Sequence, residues 1–323
     1  MTAMAARSIP PTFIVVIRTA GERTFEACKA LILRQVPEDR LHVVDERPFE
    51  AALRRCYQIG IESDTEWMIT VDADVLLRDG AINGLLAEAA AMPPDHFQVE
   101  GTVFDKLTNR ARWAGLRCYR TAYLPAAASL LPNEGEQIRP ESSTIHRFVD
   151  CGHPFQRSTT VYGVHDYDQY YRDVYRKVFV HASKHAHLLP ELLRWWKTHA
   201  HMDADFRVAL RAACDGLTAS ETPKADSRDY ASLACNALTD LGFLDKPPLA
   251  INAIGSRDVD ALLQAVRASG ALDSTDTAAS WTRLRTRYQR LGLLRLAPYL
   301  VGAFLSDLGV AMKGLAEKRS QIH

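Results

Sequence analysis

Short apolar runs alternate with longer amphipathic segments over the first ninety residues. Three runs are rich in β-branched or bulky apolar residues and lack a helical period, which predicts buried strands at Phe13–Ile17, Leu41–Val44 and Trp67–Val71. Apolar residues at helical spacing follow each run, over residues 24–35, 48–59 and 80–92. This β-α-β-α-β-α order predicts an α/β fold, a parallel sheet with helices on both faces.

The third predicted strand runs directly into Asp72-Ala73-Asp74. Side chains alternate along an extended chain, so Asp72 and Asp74 are expected to point the same way. The carboxyl ends of strands in open α/β sheets are where ligands bind. Two nearby carboxylates repel each other unless a cation lies between them, and oxygen ligands favour Mg²⁺ or Mn²⁺. The hypothesis is a metal–diphosphate site, and the alternative is a plain strand-end turn.

Composition narrows the class of protein. The 323 residues are 47% hydrophobic, which is enough for one large domain or two smaller ones. Lys+Arg and Asp+Glu both number 39, so charge gives no argument for a nucleic-acid partner. The six cysteines form no CxxC pair, which favours a reducing, cytoplasmic location. Neither a signal peptide nor a transmembrane helix is predicted.

A second candidate for chemistry is VYGVHDYDQYYRDVYRK, residues 161–177, where a glycine turn is predicted to lead into His165-Asp166 and then a helix. A carboxylate at a helix start stays ionised, so Asp166 is a candidate general base. His165 is either a metal ligand or a pH-sensitive neighbour of Asp166. The alternative is that Asp166 or Asp168 only caps the helix.

The first ninety residues resemble an inverting family-2 glycosyltransferase with the GT-A fold, a Rossmann-like mixed sheet. The resemblance is carried by VVIRTAGERTFEACKALILRQ, VVDERPFEAALRRCYQIG, and EWMITVDADVLL with GAINGLL after it. It implies that Asp72 faces the ribose or sugar and that Asp74 binds the metal. It also implies a set of nucleotide contacts, with Arg54 or Arg55 the least certain of them: Arg18, Thr19, Asp45 and Arg54.

The same resemblance implies a reaction. Asp166 aligns with the family's base, whereas His165 stands where the family usually has Glu. The implied cofactor is Mn²⁺ or Mg²⁺, and the implied donor is a nucleotide-sugar, with a UDP-sugar favoured. The acceptor is expected to be a glycan or a lipid-linked molecule.

The remainder of the chain reads as mostly helical. From residue 190 the pattern predicts a helical C-terminal region, which gives domains at 1–190 and 191–323. The last predicted helix, 281–318, is basic and amphipathic. It is expected either to pack on the catalytic domain or a twin subunit, or to lie at the inner face of a membrane. Two further expectations are a polar loop at 132–143 and a surface position for the second Asp-Ala-Asp, at 203–205.

Other functions compete with sugar transfer. A haloacid-dehalogenase-type phosphatase would use Asp72 as its nucleophile, but Leu76 replaces the Thr or Val expected four residues on. A nucleotidyltransferase would need a Gly-rich phosphate loop after the first strand, and the sequence lacks one. A catalytically degenerate scaffold is the third alternative, and its support is the departure at His165.

Overall fold

A computed structural model of the protein describes residues 12–137, 139–184, 188–219 and 230–268. The predicted C-terminal helix over 281–318 lies outside the described residues. In the described part of the chain, no helix has both the length and the apolar character needed to cross a membrane.

One mixed sheet forms the centre of the molecule. Its seven strands lie in the order β2-β1-β3-β6-β5-β7-β4. β1 pairs in parallel with β2 and β3, and β6 runs antiparallel to β3 and β5. The strands are β1 Phe13–Arg18, β2 Leu41–Val44, β3 Trp67–Asp72, β4 Val75–Leu77, β5 Gln98–Asp105, β6 Arg110–Arg120 and β7 Phe155–His165.

The helices cover both faces of this sheet. α1, α3 and α10 pack on one face, and α2, α4 and α5 on the other. α6 to α9 form a further helical core of their own. Their bounds are α1 Phe25–Leu33, α2 Phe49–Glu62, α3 Ala81–Ala91, α4 Leu124–Ala128, α5 Pro140–Asp150, α6 Tyr171–Lys184, α7 Leu189–His199, α8 Ala204–Thr218, α9 Ala231–Asp240 and α10 Ser256–Ala268. The predicted α/β class, with a mixed sheet and helices on both faces, is confirmed.

Alternation along β1 explains how a strand that is apolar over most of its length fits this sheet. In β1, Val15 and Ile17 belong to the core under α1 and α3, whereas Ile14 and Val16 belong to the core under α2. Both faces of the strand are therefore buried, as expected for a parallel strand inside an α/β sheet. The same alternation carries Arg18 onto the α2 and α5 face, where Asp72 is its partner in the parallel register.

Three local expectations are wrong. The predicted loop at 132–143 ends early, because Pro140 begins α5. The second Asp-Ala-Asp is not at the surface: Asp203 caps α8 and Asp205 is fully buried, paired with Lys106 and Lys246. The glycine turn expected before the candidate base is also absent, because Gly163 lies inside β7.

Candidate active site

Three strand ends meet at one point of the sheet. His165, the last residue of β7, is paired with Val75 at the start of β4 and with Asp105 at the end of β5. The backbone N–H of Asp166 donates to the carbonyl oxygen of Asp74 at 3.1 Å, which extends the pairing by one residue. This register brings four titratable side chains together from segments that are far apart in the sequence: Asp74, Asp105, His165 and Asp166.

Gly163 makes this convergence sterically feasible. A Cβ atom at this position would lie 2.3 Å from the carbonyl oxygen of Leu76, closer than real Cβ contacts. A larger residue would therefore push β7 away from β4 two residues before His165. The glycine that resembles a turn residue in the sequence is a close-approach residue in the structure.

We call Asp74, Asp105, His165, Asp166 and Lys177 the aspartate cluster. His165 lies at its centre, with Nδ1 2.9 Å from Asp105 Oδ2 and 3.1 Å from Asp166 Oδ2. Its Nε2 lies 3.4 Å from Asp74 Oδ1. The ammonium of Lys177, on α6, bonds both Asp74 Oδ2 and Asp166 Oδ1.

In the aspartate cluster, burial and the neighbouring charges shift pKa values in opposite directions, and the neighbouring charges have the larger effect. Burial disfavours the ionised form of Asp74, but the fields of Lys177 and His165 outweigh it and lower the pKa of that carboxyl well below its usual range. Burial likewise disfavours the imidazolium form of His165, but the charges of Asp166 and Asp74 raise its pKa well above the ordinary value. Asp74 and His165 therefore form an ionised pair in a poorly solvated place.

The backbone of Asp166 sets this residue apart. Its φ is +57°, in the left-handed region that residues with a Cβ seldom adopt. The carboxylate contacts His165 and the side chain of Lys177, and not the first N–H groups of α6. The first N–H of α6, at Tyr171, is accepted by Asp245 Oδ1 at 2.7 Å. In the described part of the chain, no contact therefore supports a capping role for Asp166. Its predicted position at a helix start is wrong, because α6 begins at Tyr171.

The donor atoms of this cluster fit a divalent cation. One ligand atom each from Asp74, His165 and Asp166 lies within 4.8 Å of the other two. Two carboxylates and an imidazole suit Mn²⁺, and the carboxylates suit Mg²⁺. Asp74 Oδ1 is buried and makes no hydrogen bond with the described residues. An added cation would give this atom a partner.

A second group, the arginine cluster, consists of Arg18, Asp72, Arg117, Tyr119 and Glu141. Arg18 Nε donates to Asp72 Oδ1 and Arg18 Nη1 donates to Glu141 Oε1, both at 2.7 Å. Arg117 and Tyr119 donate to the same Glu141 carboxylate at 2.5 and 2.9 Å. Burial opposes the charge on Glu141, but Arg117 and Arg18 outweigh it and lower its pKa to about 2. The arginine cluster is a network of paired charges centred on Glu141, although Arg117 Nε makes no hydrogen bond with the described residues.

The aspartate cluster lines one cavity of about 390 Å³, and two members of the arginine cluster, Arg18 and Asp72, line it as well. Six of the predicted site residues face it: Arg18, Thr19, Asp72, Asp74, His165 and Asp166. Two others do not. Asp45 is exposed at the end of β2, 3.7 Å from Arg47. Arg54 is also exposed, and its guanidinium donates to the carbonyl of Pro132 at 2.8 Å.

Sequence reasoning missed three residues that line the cavity, Asp105, Arg176 and Lys177, and one that holds the lining residue Arg18, Glu141. Asp105 carried a usable signal, because it directly follows a run rich in β-forming residues, residues 97–104, as Asp72 follows Trp67–Val71. Arg176 and Lys177 lie ten and eleven residues after Asp166, so their position depends on how α6 is oriented against the sheet. Glu141 was assigned to a loop, and its position depends on the packing of α5.

Comparison with protein-family models and with curated proteins finds no match. Among solved structures, the chain is similar to a mannosyltransferase from Pyrobaculum calidifontis in complex with GDP-Man and Mn²⁺, with 15% identity, a TM-score of 0.40, and 93% of this chain and 88% of that chain covered. It is also similar to a glycosyltransferase involved in the glycosylation of the major capsid of PBCV-1, with 17% identity, a TM-score of 0.33, and coverage of 48% and 83%. Likenesses this distant identify no family. The fold and the cavity define an α/β protein with a candidate divalent-metal site at its strand ends.

Proposed function

We propose that this protein is a glycosyltransferase that moves a sugar from a nucleotide-sugar to an acceptor hydroxyl with a divalent cation, Mn²⁺ or Mg²⁺. The observation that carries the proposal is the convergence of Asp74, His165 and Asp166 on one wall of a cavity. A metal–diphosphate site needs carboxylates around a cation and open space beside them, and this wall supplies both.

Asp74 and His165 are the proposed metal ligands, and the imidazolium of His165 would give up a proton when the cation binds. When bound, the cation would neutralise the negative charge that develops on the departing diphosphate. Arg176 lines the same cavity, and its Nε is buried without a hydrogen-bond partner among the described residues. A guanidinium of this kind suits an anionic diphosphate. The cavity therefore offers both a cation site and a cationic side chain to the leaving group.

Asp166 is the proposed general base. Its carboxylate accepts the proton of the acceptor hydroxyl while the acceptor oxygen forms a bond to the anomeric carbon. The bond from that carbon to the diphosphate breaks on the opposite side, which inverts the configuration. Lys177 and His165 hold this carboxylate toward the cavity.

The donor is proposed to be a UDP-sugar, and the nucleoside would lie toward Arg18, Thr19 and Asp72, which line the same cavity. Asp72 already accepts a hydrogen bond from Arg18 Nε. A carboxylate held in this way is poorly suited to attack phosphorus, so the geometry favours sugar transfer over the phosphatase alternative. The acceptor is proposed to be a glycan or a lipid-linked molecule.

Thermal unfolding with a panel of UDP-, GDP-, CMP- and dTDP-sugars, each with and without Mn²⁺, tests the proposal. A ligand present at one hundred times its Kd stabilises the folded state by about 2.7 kcal/mol, which raises the Tm measurably. We expect one nucleotide class to act, and only with Mn²⁺. Asp74→Asn should abolish this shift.

The matched control is Asp79→Asn, since Asp79 is half exposed and pairs only with Arg34, at 3.6 Å, among the ion pairs described. This variant should keep the shift. A shift that needs no metal and survives in Asp74→Asn would contradict the metal–diphosphate site. If no donor changes the Tm, the proposed function fails altogether.

A further inference from the structure

Lys177 occupies the place where a bridging cation would be expected. Its ammonium bonds one carboxylate oxygen of Asp74 and one of Asp166, so it lies between the two acids. The side chain is 19% exposed, and burial lowers the solvation of its charge. These two aspartates are also two of the three residues whose donor atoms could surround a metal.

A divalent cation and this ammonium compete for the carboxylate of Asp74. Lys177 uses Asp74 Oδ2 and Asp166 Oδ1, which leaves Asp74 Oδ1 as the atom without a hydrogen bond. An ion held by Asp74 Oδ1 and His165 would still lie within a few ångströms of the ammonium. Like charges at such a separation repel strongly in a poorly solvated site. Binding of the ion therefore drives the ammonium away from Asp74.

We propose that Lys177 is an internal counter-cation, which holds Asp74 and Asp166 while no divalent ion is bound and is displaced when one binds. The inference rests on the proposed function because it concerns the same metal site. It goes further by making one residue of the chain the competitor of the metal.

The surroundings of Lys177 allow the exchange. The residue lies on α6, and its ammonium sits at the end of a flexible four-carbon stem. The side chain lines the cavity of about 390 Å³, so a displaced ammonium has space on the side where a diphosphate would bind. If the ammonium moves from the two carboxylates to an anionic ligand, its charge stays paired. The exchange thus couples metal binding to donor binding, because the donor offers the displaced charge a new partner.

Arg112 makes a useful contrast within the same site. It pairs with Asp105 at 3.1 Å, but it is more exposed than Lys177, and Asp105 is not one of the three grouped donor residues. Removing its charge should leave the competition for Asp74 and Asp166 unchanged. The proposed effect is therefore specific to Lys177 and does not follow from the net charge of the cavity.

The test measures Mn²⁺ binding without nucleotide, from the electron paramagnetic resonance signal of free Mn²⁺. Lys177→Met should bind Mn²⁺ about tenfold more tightly than the unaltered protein, because the competing charge is gone. Lys177→Arg keeps a charge and should not show this gain, and neither should Arg112→Met. Asp74→Asn should lose binding in either background.

A second measurement guards against a folding defect. If Lys177→Met is destabilised, Mn²⁺ should raise its Tm more than it raises that of the unaltered protein, and Lys177→Gln offers a milder neutral variant. Equal or weaker Mn²⁺ binding in both neutral variants would overturn the inference alone and leave the metal site standing. Absence of Mn²⁺ binding in every variant would overturn it together with the metal part of the proposed function. Binding in the neutral variants only would support the competition and contradict a metal-dependent reaction.

Discussion

The arginine cluster and the aspartate cluster carry similar numbers of charged groups but use them differently. In the arginine cluster, Glu141 accepts hydrogen bonds from Arg18, Arg117 and Tyr119. In the aspartate cluster, Asp74 keeps one oxygen without a hydrogen bond in the described structure, and a flexible lysine bridges it to Asp166. Charged groups paired with rigid neighbours stabilise the fold. Charged groups paired with a partner that can move away can bind a ligand in its place.

The difference comes from the elements that supply each cluster. Arg18 and Asp72 end neighbouring parallel strands, and Arg117 lies within β6, so most of the arginine cluster is mounted on the sheet. The aspartate cluster joins strand ends to one helical side chain across the cavity. We therefore expect substitutions at the first cluster to change stability and those at the second to change chemistry.

Asp166→Asn should give the largest effect. If Asp166 is the base, its loss should reduce sugar transfer by about 10²- to 10⁴-fold, with the donor still bound. The measurement is the rate of nucleoside diphosphate release, using the donor found by thermal unfolding. Asp168→Asn is the matched control, because Asp168 pairs with Arg23 and Lys246 away from the cavity. Comparable losses of activity in both variants would contradict the assignment of Asp166 as the general base.

Glu141→Ala should lower the free energy of unfolding more than it affects sugar transfer. It leaves Arg18 and Arg117 without their shared carboxylate, and breaking a buried ion pair in this way costs about 3 to 5 kcal/mol. Urea unfolding measures this cost. Glu136→Ala removes an exposed carboxylate that also pairs with an arginine, Arg147, and should leave the unfolding midpoint nearly unchanged. A small loss of stability in Glu141→Ala would show that the arginine cluster contributes little to the stability of the fold.

The pKa of Glu141 predicts how this contribution depends on pH. It is lowered from 4.5 to about 2 in the folded protein, against the effect of burial, by Arg117 and Arg18. A lowered carboxyl pKa stabilises the fold above 4.5, and this stabilisation is lost as the pH falls toward 2. The advantage of the unaltered protein over Glu141→Gln should therefore shrink by about 3 kcal/mol across that interval. Urea unfolding over a pH series measures the difference, and a constant difference would contradict the assignment.

The sequence predicted the sheet better than it predicted the site. Short apolar runs located β1 and β3, because strands buried on both faces are apolar over most of their length. The acids at strand ends, Asp72 and Asp74, were found by the same logic. Lys177 could not be found in this way, because its role depends on how α6 docks across the cavity.

The same limit applies to the arginine cluster. Arg18 was predicted as a nucleotide contact, but nothing in the local pattern pairs it with Glu141, which is 123 residues away. The partner is set by the packing of α5 against the sheet, and the polar segment before Pro140 reads as a loop. Long-range charge pairing of this kind leaves no periodic signal in a single sequence.

Arg54→Ala should have the smallest effect, and it tests where the cavity ends. The resemblance to family-2 glycosyltransferases implies a nucleotide contact at Arg54, whereas its guanidinium donates to the carbonyls of Pro132 and Glu50 at 2.8 and 3.4 Å, outside the cavity lining. Donor affinity should therefore change by less than about twofold, measured by titration with Mn²⁺ present. Arg47→Ala is the comparison, because Arg47 does line the cavity. A tenfold weakening at Arg54 alone would mean that the nucleoside extends past the arginine cluster, and that cluster would then have to open on binding instead of remaining rigid.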